Sequence, residues 1–436
     1  MDSPMEAYAS VLLYAIPILF TFVIIEAIYS WQKGTRAFRS LDTISSISSG
    51  LTNTIKSVLG LTIFIIGYEK LESLIGIYEV KATWLVYAIA FLSLDFATYW
   101  SHRLSHQVNF FWNKHLVHHT SEEYNLAVAL RQPISEFVSL FFVFMFPAAL
   151  LGVPPEVVAL LTPIHFLLQF WIHTPHIGKL GILEYIIVTP SQHRVHHALN
   201  EIYIDKNLSG VFCIWDRMFG TFQEELEEEP PIYGSTRPLD TWNPIKHNFA
   251  HLFLMIKDAW YTQSWWDKVR IWLMPTGWRP EDVKERFPVR TVNEHNLVKF
   301  NTKVSPTLHA WSWTQCVITN LMLFQMLIYF KEIGFPYLFL YGGFLMFTVY
   351  AFTTLMDRDK NALWLEIIRC LFGLSIIYFT GGWFMMPGGG PIVAVYLLLS
   401  VGVVWFVGKE LKHETPEEGE CNNNPTLETI LHQGKQ

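Results

Sequence analysis

Residues 82–106, ATWLVYAIAFLSLDFATYWSHRLSH, decide how this chain is read. The stretch 82–100 is apolar over about the 20 residues that cross a bilayer, and it empties directly into a histidine pair. Residues four apart on a helix share a face, so His102 and His106 point the same way. Two further strings repeat the theme: HLVHH at 115–119 and HRVHH at 193–197. In each, two histidines lie on one face and the adjacent third is splayed toward a second position. Eight of the chain's 17 histidines therefore fall in three clusters beside apolar runs. One such string is ordinary as a solvated loop; the set is a metal-ligand pattern, and neutral imidazole suits Fe, Zn, Cu or Ni.

Working outward, apolar runs recur near 9–28, 50–68, 82–100, 134–153, 156–174, 313–331, 334–352, 363–381 and 389–408. Lys56 and a polar TNT stretch dilute the second. The composition agrees: 51% hydrophobic, 16% aromatic and only 16% charged. The expectation is an all-α polytopic membrane protein with about nine transmembrane helices. The first run has neither a basic flank nor a small-residue cleavage site, so it is expected to stay as a span. Basic residues orient the chain. With the N-terminus outside the cytosol, Lys70, Lys81 and Lys331 lie on the outer face, while the loops 101–133 and 175–312 are cytosolic with their many basic residues. All three histidine clusters then share one face.

Three regions follow. Residues 1–312 form a catalytic membrane domain of five spans with a cytosolic cap, 175–312. Residues 313–408 add four spans, and 409–436 are a flexible polar tail. The cap carries Trp242, Trp260, Trp265, Trp266, Trp272 and Trp278 among charges, as expected of helices lying against a membrane surface. Cys213, Cys316, Cys370 and Cys421 have no paired spacing, which excludes a disulfide framework and a thiolate metal site. A net charge of −7 without a basic concentration excludes nucleic acid. No protein partner is predicted.

A ninth candidate ligand is His173, four residues after Gln169 and placed at the end of the fifth run. His176 ranks lower because it follows Pro175. His165 reads as a hydrogen-bonded bundle histidine. His247 and His251 also stand four apart, but lack a third partner. Asp95 lies two helical turns before His102; an acidic group within a span is costly, and it is read as a carboxylate orienting a ligand imidazole, with Gln169 in a similar supporting place. Nine nitrogens exceed one ion, and the count fits two octahedral ions with positions left for oxygen. Closed zinc cages take four ligands, often thiolates. Two irons held by imidazole at a membrane surface suit dioxygen activation and attack on a C–H bond of a lipid drawn from the bilayer.

These clusters resemble the fatty acid hydroxylase/sterol desaturase superfamily of membrane di-iron enzymes. The flanking sequence, including HHTSEEYNL at 118–126, ALRQ at 129–132, QFWIHT at 169–174, TPSQHRVHH at 189–197, YIDKN at 203–207 and IWDRMFGTF at 214–222, is similar to its alkylglycerol monooxygenase family. The similarity reaches LEIIRCL at 365–371. It implies that His102, His106, His115, His118, His119, His173, His193, His196 and His197 hold two irons. It also implies tetrahydrobiopterin as reductant, dioxygen as co-substrate, and cleavage of the ether bond in alkylglycerols and lyso-alkyl phospholipids. An endoplasmic reticulum membrane is implied, or the plasma membrane in a bacterium, with the N-terminus lumenal and the C-terminus cytosolic. One position departs: where the family has a Glu associated with the pterin, this chain has Gln107. The alternatives are a sterol or fatty acyl hydroxylase or desaturase of the same superfamily, fed by cytochrome b5 or ferredoxin, and a histidine-rich metal transporter. Transport calls for ligands on both faces.

Overall fold

Apolar length and proline placement sort the chain into long helices, short helices and turns. In the computed structural model, which describes residues 4–413 except residue 79, the helices are α1 (Pro4–Gln32), α2 (Ser40–Val58), α3 (Tyr68–Ile75), α4 (Trp84–Gln107), α5 (Asn109–His119), α6 (Phe146–Leu150), α7 (Pro155–Leu167), α8 (Pro190–His197) and α9 (Ile214–Phe219). Then come α10 (Pro244–Tyr261), α11 (Trp265–Arg270), α12 (Glu281–Arg286), α13 (Pro306–Ile328), α14 (Phe330–Ile333), α15 (Tyr337–Met356), α16 (Ala362–Thr380) and α17 (Gly389–His413). Strands β1 (Ile63–Phe64) and β2 (Val138–Ser139) pair in parallel.

The chain is mostly helical and multi-pass, but the nine-helix expectation needs correcting. Among the described residues four helices are long and apolar enough to cross a membrane: Tyr8–Gln32, Tyr337–Met356, Ala362–Thr380 and Gly389–Gly408. The run at 134–153 is not one helix. Pro133, Pro147 and Pro154 punctuate it, and it is built from β2, a 3-10 turn at Phe141–Met145 and the five-residue α6. The run at 156–174 yields only α7, 13 residues and so about 20 Å long, short of the roughly 30 Å hydrocarbon core. The run at 50–68 is displaced: α2 starts at Ser40 and stops at Val58, where Gly60 turns with φ +64°. α13 and α4, which carries the run at 82–100, are long but more polar than those four helices, through Gln315, Thr319, Asn320 and Gln325 in the first and Asp95, His102, Arg103 and His106 in the second. The tail's expected flexibility concerns residues that lie, beyond His413, outside those described.

Two cores hold the bundle. One packs α2, α13, α15 and α16 around Ile44, Ile55, Met326, Phe344 and Leu345; the other packs α3, α4, α6 and α7 around Ala90, Leu94, Met145 and Val157. Helices run between two ends. At one, Glu6 faces Lys331 across 3.9 Å, and the Tyr68 hydroxyl donates to the Val153 carbonyl (2.8 Å). At the other, Ser40 meets His309 (2.6 Å), and Asp357 at the end of α15 receives the Trp242 N–H (2.6 Å). Charge buried between helices is paired: Arg369 bonds Glu366 (2.5 Å), Ser400 (2.9 Å) and Tyr396 (3.1 Å), and the Tyr396 hydroxyl also bonds Gln315.

The tight turn at Gly152 joins α6 to α7. Its φ is +69°, and a Cβ there would lie 1.7 Å from the Tyr78 carbonyl oxygen. Gly152→Ala is therefore expected to lower the thermal unfolding temperature of the detergent-solubilised protein. The left-handed backbone alone costs about 1–2 kcal/mol, and the clash with main chain adds to it. Gly178→Ala, which meets nothing within 4 Å, is expected to be neutral. Equal unfolding curves for the two variants would refute this account of the turn.

Candidate metal centre

α4 delivers His102 and His106 at its last turn, and Val108 alone separates it from α5. The chain bends there, and α5 returns with His115, His118 and His119 on its own last two turns. Pro190 starts α8, which presents His193, His196 and His197. His173 closes the turns that follow α7. The structure brings all nine together and divides them into two groups: His102, His106, His115, His119 and His196, and His118, His173, His193 and His197. Within each group the candidate ligand atoms lie within 4.8 Å of one another. Helical spacing explains the division. His115 and His119 share a face and His118 turns from them; His193 and His197 share a face and His196 crosses to the other group.

Ring nitrogens converge inside each group. His115 Nε2 lies 2.8 Å from His102 Nε2 and 3.0 Å from His119 Nε2. His173 Nε2 lies 3.2 Å from His118 Nε2 and 2.9 Å from His193 Nε2. The opposite ring nitrogens face outward to acceptors. His102 Nδ1 is 2.8 Å from the Leu208 carbonyl and His196 Nδ1 3.1 Å from that of Lys206. His118 Nδ1 meets the Arg131 carbonyl (3.2 Å), and His173 Nδ1 that of Gln169 (3.1 Å). A carbonyl only accepts, so each of these Nδ1 atoms carries the proton and Nε2 keeps its lone pair. His106 Nε2 and His196 Nε2 are buried with no hydrogen-bond partner. Buried polar atoms are normally paired, and two unpaired imidazole lone pairs within one histidine group fit a cation between them.

Burial, the largest cause, and then the neighbouring imidazoles hold His115, His119, His193, His196 and His197 well below the usual histidine pKa. Burial pushes His118 down to about 4. The rings are therefore neutral near pH 7, the form that binds metal.

The supporting residues differ from expectation. Asp95 is fully buried, yet contacts none of the nine imidazoles. Its carboxylate accepts from His165 Nε2 (2.9 Å), the Val211 and Phe212 amides (2.7 and 2.9 Å) and Trp215 Nε1 (2.9 Å). It pins the backbone just after Leu208, as a fastener of the loop, and the imidazole it holds is that of His165 and not one of the nine. Gln169 directs its side chain to His165 Nδ1 (3.1 Å), and it is its carbonyl that meets His173. Gln107 ends α4 exposed, its carbonyl accepting from the Thr276 amide (3.2 Å). His165 is the bundle histidine anticipated. His247 and His251 bond the Thr241 and Asn109 carbonyls (2.8 and 3.1 Å) apart from the centre.

Sequence reasoning missed Asp205. Its Oδ1 lies 3.0 Å from His106 Nδ1, and its φ of +58° is left-handed. Residues 205–208 thus hold three imidazoles of one group: His106 by a carboxylate, and His196 and His102 by carbonyls. Tyr124 was missed too; its ring stacks at 6.0 Å on His173 and at 5.0 Å on Tyr233. The only signal available was position within the strings YIDKN and HHTSEEYNL.

The Fatty acid hydroxylase family model matches residues 87–221, which contain every one of the nine histidines. Alkylglycerol monooxygenase from Homo sapiens is 35% identical over 379 residues, 84% of this chain and 82% of that protein. Its counterpart from Xenopus tropicalis is 34% identical over 82% of this chain and 80% of its own length. Ornithine lipid hydroxylase OlsE from Rhizobium tropici is 27% identical over 33% of this chain and 41% of its own. No solved structure matches the chain. Similarity of this extent, spanning the histidine groups and the helices beyond them, places the chain in the alkylglycerol monooxygenase family, among the membrane monooxygenases of the fatty acid hydroxylase superfamily.

Proposed function

We propose that this chain cleaves the O-alkyl bond of alkylglycerols and lyso-alkyl phospholipids by hydroxylating the ether C1. The observation that carries the reading is the pair of converging histidine groups in a chain so similar to alkylglycerol monooxygenase. The nine histidines would hold two irons, which supply dioxygen activation and attack on the C–H bond. One oxygen atom enters C1 and the other leaves as water, with two electrons from tetrahydrobiopterin. The resulting hemiacetal collapses to a fatty aldehyde and a glycerol derivative.

The protein's own part is placement. Carbonyls and Asp205 keep Nε2 of His102, His106, His118, His173 and His196 aimed inward. Burial of the four-histidine group excludes water, and apolar surface of α7, including Leu160, Ile164 and Phe166, provides contact with the lipid around the chain. The basic-residue asymmetry supports a cytosolic site end and a lumenal N-terminus, and the family resemblance supports the endoplasmic reticulum membrane, or the plasma membrane in a bacterium. A second reading, lipid hydroxylation without cleavage, is favoured by one observation: Gln107 stands where the resemblance expects a pterin-linked Glu.

Purified protein given a 1-O-alkylglycerol dideuterated at C1 is expected to release a long-chain aldehyde that has lost one deuterium, with tetrahydrobiopterin as donor. Aldehyde formed only with a ferredoxin system would keep the substrate and reject the pterin. A hydroxylated lipid with no aldehyde from either donor would favour the second reading. Metal analysis should give two irons per chain, and His196→Ala should abolish turnover while the protein still inserts into membranes. One zinc per chain, reproducibly, would defeat the di-iron assignment.

Asp205→Ala should weaken metal retention against a chelator by about 10- to 100-fold, as loss of a partner to a ligand imidazole does. Asp205→Asn, which keeps an acceptor oxygen, should recover part of that loss. Iron release rates identical in wild type and both variants would show that the carboxylate does not position His106.

A further inference from the structure

α10 is built inside out. Its buried side chains include His247, Asn248, His251 and Asp258, all at most 5% exposed. On the opposite face Phe253, Ile256 and Trp260 are 56%, 46% and 79% exposed. The spacing 253, 256, 260 is a single helical stripe. A helix of a water-facing cap would place these the other way round.

The polar face has internal work that accounts for its burial. Asn248 Oδ1 accepts the Ile134 and Ser135 amides (2.8 and 3.0 Å). His251 reaches the Asn109 carbonyl, and the Leu252 amide donates to Asn113 (2.8 Å), so α10 is clamped along α5. Arg279 closes on Asp258 with two bonds, 2.6 and 2.9 Å. Among the described residues nothing similar covers the apolar stripe. It continues into α11 and the turn after it, where Trp265, Trp266, Val269 and Leu273 are 80%, 65%, 64% and 75% exposed. At its other end Phe249 stacks on Phe137 (6.0 Å), which begins the apolar segment descending to β2, where Ile63 and Phe64 of β1 are also exposed. The patch is therefore continuous with the membrane-facing body.

We infer that the α10–α11 edge of the cap is seated in the boundary between head groups and acyl chains of the bilayer leaflet, with Phe253, Ile256, Trp260, Trp265 and Trp266 as its immersed residues. Three exposed tryptophans suit that level, since each pairs an apolar ring with one N–H donor. The end of α10 is prepared for scarce water: Lys268 Nζ donates to the Ala259 and Trp260 carbonyls, both at 2.9 Å, which α10 itself leaves open. α5, with three of the nine histidines, then lies one helix diameter, about 10 Å, from the lipid boundary. The inference rests on the membrane character of the chain and is independent of its reaction.

The test uses the full-length protein in lipid nanodiscs, its native cysteines replaced, with one nitroxide at a time on Phe253→Cys, Ile256→Cys, Trp260→Cys or Trp266→Cys. Glu228→Cys, in the exposed acidic run, is the water-facing control. Collision with dissolved oxygen, which concentrates in lipid, should dominate at the four test sites, and collision with a water-soluble nickel chelate at the control. The ratio of the two is expected to differ several-fold. Nickel dominance at 253, 256 and 260 would overturn the inference. So would shielding from both reagents that disappears when discs hold one copy instead of two, since that assigns the face to a second copy. Each labelled site is already exposed, so the substitutions leave packing intact, and enzyme turnover is not a readout.

Discussion

Every buried imidazole in this centre must dispose of one N–H while keeping one lone pair inward. For His102, His106, His118, His173 and His196 the observed solution is an outer ring of acceptors that are mostly main-chain carbonyls, those of Arg131, Gln169, Lys206 and Leu208, with Asp205 as the carboxylate among them. Much of the surrounding architecture serves to fix those carbonyls. Asp95 ties down residues 211 and 212, and Asp216 accepts the Leu208 and Ser209 amides (2.7 and 3.0 Å). Arg131, whose carbonyl holds His118, is itself locked by Asp42 (2.6 Å) and Ser46 (2.9 Å) of α2. A serine-rich helix that looked like a diluted membrane span is thus part of the frame around the metal centre.

The same logic separates the two groups. The five-histidine group borders loop 205–208, where the Asp205 side chain is half exposed. The four-histidine group is wholly buried and walled by Tyr124. Equal chemistry at the two positions is not what such surroundings would produce: among the described residues one group has a carboxylate within a hydrogen bond of its histidine and the other has none. A charge hydrogen-bonded to the far side of an imidazole changes that ring's basicity.

What the sequence reveals here follows from how local the determinant is. His102 with His106, and the HxxHH strings, announce through helical spacing that imidazoles gather and that each string serves two positions, but which histidine joins which group came only from the structure, since neighbours three and four apart both share a face. Asp205 could not. It reaches His106 across 99 residues of chain, from a non-helical turn whose left-handed backbone has no periodicity to read. Asp95 misled for the converse reason: spacing within α4 placed it below His102, while its partners came from residues 165 and 211–215. Apolarity identified α15, α16 and α17 well, because their composition is uninterrupted. It failed at 134–153, where Pro147 interrupts the run and Pro133 and Pro154 bound it, and at 156–174, where the helix ends before it can span. The tryptophans of the cap were grouped by composition alone; Trp242 is in fact a core residue packed on Phe300 (4.9 Å).

The short loop after α8 has an implication for divergence. Lys206 and Leu208 both contribute carbonyl oxygens, which every amino acid possesses, but only the partly exposed Lys206 side chain is free to vary, because Leu208 is fully buried. Asp205 and Asn207, with φ of +58° and +53°, are constrained by both backbone shape and side-chain chemistry, for Asn207 also bonds the Gln192 and Gln223 carbonyls (3.0 and 2.7 Å). Freedom along 205–208 is therefore confined to one position. A lineage could drift in charge and size at Lys206 and still inherit an unaltered set of imidazole directions.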